Sequence, residues 1–105
     1  MEQLELRPGS RLRSAVDATE VVVVRPPAQP VDLRCGGHPM VPLDSDGTAG
    51  SAPSPDHTGG TLLGKRYVDT DETLEVLCTK PGDGSLSIGD EPLRVKEAKP
   101  LPASD

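Results

Sequence analysis

The sequence predicts a mainly β protein, a small antiparallel sheet curled into a sandwich or open barrel. Three observations carry that expectation. The four consecutive valines Val21–Val24 favour extended backbone, because branching at Cβ restricts χ1. Apolar and polar residues alternate along Val31–Cys35, and Leu74, Val76 and Cys78 recur at every second position, the period of a half-buried strand. Glycine and proline punctuate the chain, with 11 and 12 copies among 105 residues, and no segment holds three turns of helical periodicity.

The elements follow in order. Residues 1–18 read as irregular, with a turn at Pro8-Gly9 and room for a short helix or strand near Leu12–Val16. Thr19–Arg25 reads as a central strand buried on both faces, stopped by Pro26-Pro27 because proline cannot continue a central ladder. Val31–Cys35 places Val31, Leu33 and Cys35 on one face; Gly36-Gly37 turns the chain, and Pro39–Leu43 returns as a short strand. Asp44–Gly60 has almost nothing to bury and reads as a flexible loop. Leu62–Val68 and Leu74–Cys78 form a hairpin across the polar turn Asp69–Thr73. After a turn at Pro81–Gly84, Ser85–Ile88 and Glu91–Val95 pair around Gly89-Asp90, where glycine first suits a type II′ turn. That register sets Leu86 against Leu93 and lines Leu86, Ile88, Leu93 and Val95 on one face. The result is one domain, with an ordered core over residues 11–43 and 61–97, a flexible loop over 44–60 and a tail over 98–105.

Composition narrows function. The net charge is -6, from 17 acidic and 11 basic side chains. Such a chain is repelled by phosphate backbones and anionic lipid, which argues against nucleic acid or a membrane surface as partner. No apolar run approaches the roughly 18 residues of a membrane span, and the acidic start Met1-Glu2-Gln3-Leu4-Glu5 is unlike a signal peptide. A cytoplasmic location is expected, and a bias to Val, Arg, Gly and Pro suggests a bacterial source. The core is thin: 12 Leu, 10 Val and one Ile, with Tyr67 the one aromatic. Cores this small are often stapled by a metal, a disulfide or a partner subunit. The partner is then another protein or a second copy.

One constellation carries chemistry. In Val31-Asp32-Leu33-Arg34-Cys35-Gly36-Gly37-His38-Pro39 and Leu74-Glu75-Val76-Leu77-Cys78-Thr79-Lys80-Pro81-Gly82, a strand ends in cysteine and enters a turn. Cys-x-x-His is a metal-knuckle spacing, and zinc accepts mixed sulfur and nitrogen ligands tetrahedrally. The pair of segments resembles a degenerate zinc-ribbon or rubredoxin-like double knuckle. That resemblance implies zinc as cofactor at Cys35, His38 and Cys78. Pro81 stands where the second knuckle needs its fourth ligand, leaving His57, Asp83, water or a substrate for that place.

Blander readings stand beside it. Cys78 continues an apolar stripe and reads as a small core residue, and Cys35 reads the same way or as a thiol beside a Gly-Gly turn. A Cys35–Cys78 disulfide is a further alternative. A thiol enzyme would need the Cys35 pKa depressed by His38 or Lys80. Gly59, Gly64 and Lys65 approach the phosphate-loop pattern, but Arg66 replaces its Ser or Thr. Asp69, Asp71 and Glu72 read as solvated turn carboxylates. No Gly-x-Ser-x-Gly elbow occurs. The expectation is a non-catalytic accessory or protein-interaction module, with a small zinc-binding protein as the alternative.

Overall fold

The computed structural model describes residues 5–44 and 53–96. Segment 45–52 of the expected loop, and the expected tail, lie outside the described residues. Among the described residues the chain order is β1 (Arg11–Arg13), β2 (Glu20–Arg25), β3 (Leu33–Cys35), β4 (His38–Pro39), β5 (Val41–Pro42), a 3-10 turn at Pro55–His57, β6 (Arg66–Val68), β7 (Glu75–Lys80), β8 (Leu86–Ile88), β9 (Glu91–Pro92) and β10 (Arg94–Val95).

These strands make two antiparallel sheets, one ordered β10-β6-β7-β2-β1-β5 and the other β4-β3-β8-β9. Among the described residues neither closes into a barrel, since β10 and β5, or β4 and β9, stand as edges. One apolar core draws on both sheets: Leu12, Val21, Val23, Val76 and Cys78 from the first, Leu33, Cys35 and Leu86 from the second. Leu6 and Met40 join it from outside the strands.

The valine strand is central as its composition demands, with β7 on one side and β1 on the other. Burial on both faces does not follow. Val21 and Val23 are buried, Val22 is half-buried, and Val24 is 43% exposed. The six-stranded sheet packs one face on the core, so alternate valines look outward. Val24 is also the extra residue of a bulge, because Val23 pairs with Val76 and Arg25 with Glu75.

Both hairpins form. Tyr67 pairs with Val76, and the Leu93 N–H donates to the Leu86 carbonyl at 3.0 Å. Gly89 takes φ +58, and Asp90 does not share that positive φ, as a type II′ turn requires. Val95 leaves the expected face: past Leu93 the chain crosses to the first sheet, pairs Val95 with Tyr67, and leaves Val95 37% exposed. The expected strand from Leu62 starts only at Arg66, because residues 62–65 are spent on a turn.

The expectation of a flexible loop over 44–60 is corrected at 53–60. The Ser54 N–H donates to the Gly36 carbonyl at 2.8 Å, and the His57 carbonyl accepts the Ser85 N–H at 2.9 Å. Gly36 permits the approach, since a Cβ there would lie 3.0 Å from Pro53 Cβ. Backbone hydrogen bonding thus holds a segment that has little apolar surface of its own.

Candidate functional site

Gly36 and Gly37 take φ of +66 and +83, the type I′ turn that two glycines favour. Their turn sets His38 directly opposite Cys35 across β3 and β4. Cys35 is fully buried and His38 half-buried. Cys78 stands on the other sheet, paired with Val21. Its thiol donates to the Lys80 carbonyl at 3.2 Å, whereas the Cys35 thiol points at Asp17 Oδ1 at 3.8 Å. Both cysteines are free. Among the described residues, no three His, Cys, Asp or Glu side chains are grouped so as to hold a metal ion. His57 packs beside Gly37, and Asp83 is exposed.

Burial pushes the Cys35 thiol up to about 11, and the Asp17 charge adds to that. Burial also raises Cys78. A thiolate is the nucleophilic form, so neither cysteine is poised for chemistry at neutral pH.

The neighbour that occupies Cys35 was not visible in the sequence as a site. Asp17 Oδ1 accepts the Thr19 N–H at 3.2 Å, and Oδ2 accepts the Thr19 hydroxyl at 3.0 Å and the Gly84 N–H at 2.5 Å. The Ser14 hydroxyl accepts the N–H groups of Val16 and Asp17, each at 3.1 Å. Burial alone would raise Asp17, but these hydrogen bonds outweigh it and hold the carboxyl below its ordinary 3.8. The cluster is a knot joining the turn before β2 to the loop before β8. Its sequence signal is Ser14, Asp17 and Thr19 at turn spacing, with Gly82 and Gly84 opposite.

The glycines near Lys65 build no phosphate cradle. Gly64 sits in the turn 62–65 at φ +79, Thr61 bridges to Gly82, and strand β6 rather than a helix follows. That turn is held firmly. The Leu62 N–H donates to the Tyr67 hydroxyl at 2.9 Å, the Gly64 N–H to the Cys78 carbonyl at 2.9 Å, and the Cys78 N–H to the Lys65 carbonyl at 3.0 Å. The turn exposes its two apolar side chains, Leu62 at 58% and Leu63 at 63%.

No protein-family model matches this chain. Comparison with curated proteins and with solved structures gives no significant match.

The sheet edges limit what that surface can do. Among the described residues, three of the four edge strands contain proline: Pro39 in β4, Pro42 in β5 and Pro92 in β9. Proline offers no N–H to an incoming strand, a common way to blunt an edge. No helix among the described residues is long and apolar enough to cross a membrane.

Proposed function

We propose that this protein is a small non-catalytic protein-interaction module, with the Leu62-Leu63 turn as its apolar anchor. The observation that carries this reading is two adjacent leucines, each more than half exposed, on a turn braced by Tyr67 and Cys78. Exposed single apolar residues are ordinary, but a braced pair differs. Its conformation is set before binding, which removes an ordering cost from association. Blunted sheet edges disfavour strand addition as the docking mode, and the suppressed thiols disfavour covalent chemistry.

The test is a Leu62→Ser, Leu63→Ser double variant. Both side chains face solvent, so stability should change by less than about 0.5 kcal/mol per site. Association with a protein partner, or self-association measured by sedimentation, should weaken at least about tenfold, as loss of a central apolar contact does. Unaltered association in the folded double variant would sink the reading. The zinc-binding alternative draws support from the Cys35–His38 pairing. Near-stoichiometric zinc in untagged protein, lost in Cys35→Ser, is the result that would favour it.

A further inference from the structure

The charges of this acidic chain are unevenly placed. Six of its 11 basic residues (Arg11, Arg13, Arg25, Arg66, Lys80 and Arg94) stand on strands of the six-stranded sheet, against two of its 17 acidic ones, Glu20 and Glu75. That sheet is locally cationic although the chain is not.

Register places part of this charge in a row. Arg11 pairs with Val22, Val22 with Leu77, and Leu77 with Arg66, across β1, β2, β7 and β6. These residues alternate with the core-facing Leu12, Val21, Val76 and Tyr67, so they share the face turned away from the core. Two half-buried apolar side chains therefore lie between two exposed guanidinium groups. Arg66 reaches the buried Glu75 at 3.3 Å but keeps more than half its side chain exposed. Among the described residues no carboxylate is paired with Arg11. At the Arg11 end the row opens into a cleft of about 380 Å³, whose walls include Leu43, Thr79, Lys80 and the carboxylate Glu20, which Lys80 faces at 3.8 Å.

We infer that this row binds an extended acidic segment of a partner protein with the pattern Glu-x-Leu-x-Glu. Neighbouring strands lie about 4.8 Å apart, so three steps set the two arginines roughly 14 Å from each other. In an extended peptide, residues four apart face the same way and lie about 13 Å apart. Two glutamates at that spacing meet the two guanidinium groups, which suit carboxylates by their forked geometry. The leucine midway between them lies on Val22 and Leu77. This inference rests on the reading of the protein as an interaction module, but it uses a different surface from the Leu62-Leu63 turn.

The experiment is a chemical-shift titration of the full chain with the acetylated, amidated peptide Glu-Ser-Leu-Ser-Glu. Saturable shifts are expected at Arg11, Val22 and Leu77. They should weaken several-fold from about 0.01 M to about 0.15 M salt, where the Debye length falls from roughly 30 to 8 Å. Arg11→Glu should abolish them. The Leu62→Ser, Leu63→Ser variant should keep them, which separates this inference from the anchor reading. Val22→Thr, which keeps the shape of the strand residue and reverses no charge, should weaken binding with the fold intact. The inference is overturned if the shifts are absent, if a peptide with adjacent glutamates binds equally well, or if oligothymidylate binds the same residues as tightly.

Discussion

The Asp17 carboxylate accepts the backbone N–H of Gly84 at 2.5 Å, across 67 positions of sequence. Asp17 belongs to the turn that feeds β2 of the first sheet, and Gly84 to the loop that feeds β8 of the second. A single half-buried carboxylate thus ties the two sheets together at one end of the core. Asp17→Asn replaces a charged acceptor of several donors by a neutral amide. It should destabilise the fold by about 1.5–3 kcal/mol, the range for a hydrogen bond to a charged group, measured by urea unfolding. An unchanged midpoint would show that the knot contributes nothing.

The glycines opposite Asp17 are required by space. A Cβ at Gly84 would lie 2.9 Å from the Gly36 nitrogen and 3.0 Å from both Cys35 Sγ and Asp17 Oδ2. Gly84→Ala should cost about 1–3 kcal/mol through overpacking. At Gly59 the new Cβ would meet only Ser85 Cβ, at 3.7 Å, and φ is not positive. Gly59→Ala should be neutral, or stabilising by up to about 1 kcal/mol through the unfolded chain. Equal thermal shifts for the two variants would contradict this account.

Acid should unfold the protein through Asp17 and Glu75. Hydrogen bonding from Lys96 and the nearby Arg66 charge hold the Glu75 carboxyl below its ordinary 4.5, against the effect of burial. Both groups have folded pKa values below their unfolded ones. Their contribution is complete above the unfolded values, 3.8 for Asp17 and 4.5 for Glu75, and is lost as pH falls through the folded ones. Stability should therefore fall as pH drops below about 4.5, because the unfolded chain binds more protons. Glu75→Gln should flatten part of that slope in urea midpoints taken across the acid range. A slope identical to that of the parent would exclude Glu75 as a source.

Both thiols should resist iodoacetamide in the native protein. Cys35 is fully buried with its pKa pushed to about 11, and Cys78 is buried and raised in the same direction. Labelling near neutral pH should follow opening of the fold and accelerate with urea. Rapid labelling of folded protein would revive a thiol-based function.

Much of this fold is legible at short range. Val21–Val24 had to be extended and Pro26-Pro27 had to end that strand. Gly36-Gly37 marked a turn, and Gly89-Asp90 named its turn type. The site was far less legible. Asp17 lay in a segment with weak local signals, and its main partner, Gly84, is remote in sequence. The Leu62-Leu63 pair read as strand because apolar pairs fit strands, yet Gly64 and the Tyr67 hydroxyl turn it into an exposed corner.

By itself the sequence determined strand character, turn positions and the small aliphatic core, because χ1 crowding, positive φ and the missing proline N–H act within a few residues. Only the tertiary structure decided that Cys35 and Cys78 belong to different sheets, that Asp17 joins those sheets, and that Arg11, Val22, Leu77 and Arg66 fall in one row. Such relations depend on which strands pair and in what register. Pairing is chosen by the burial of the whole core rather than by any one segment.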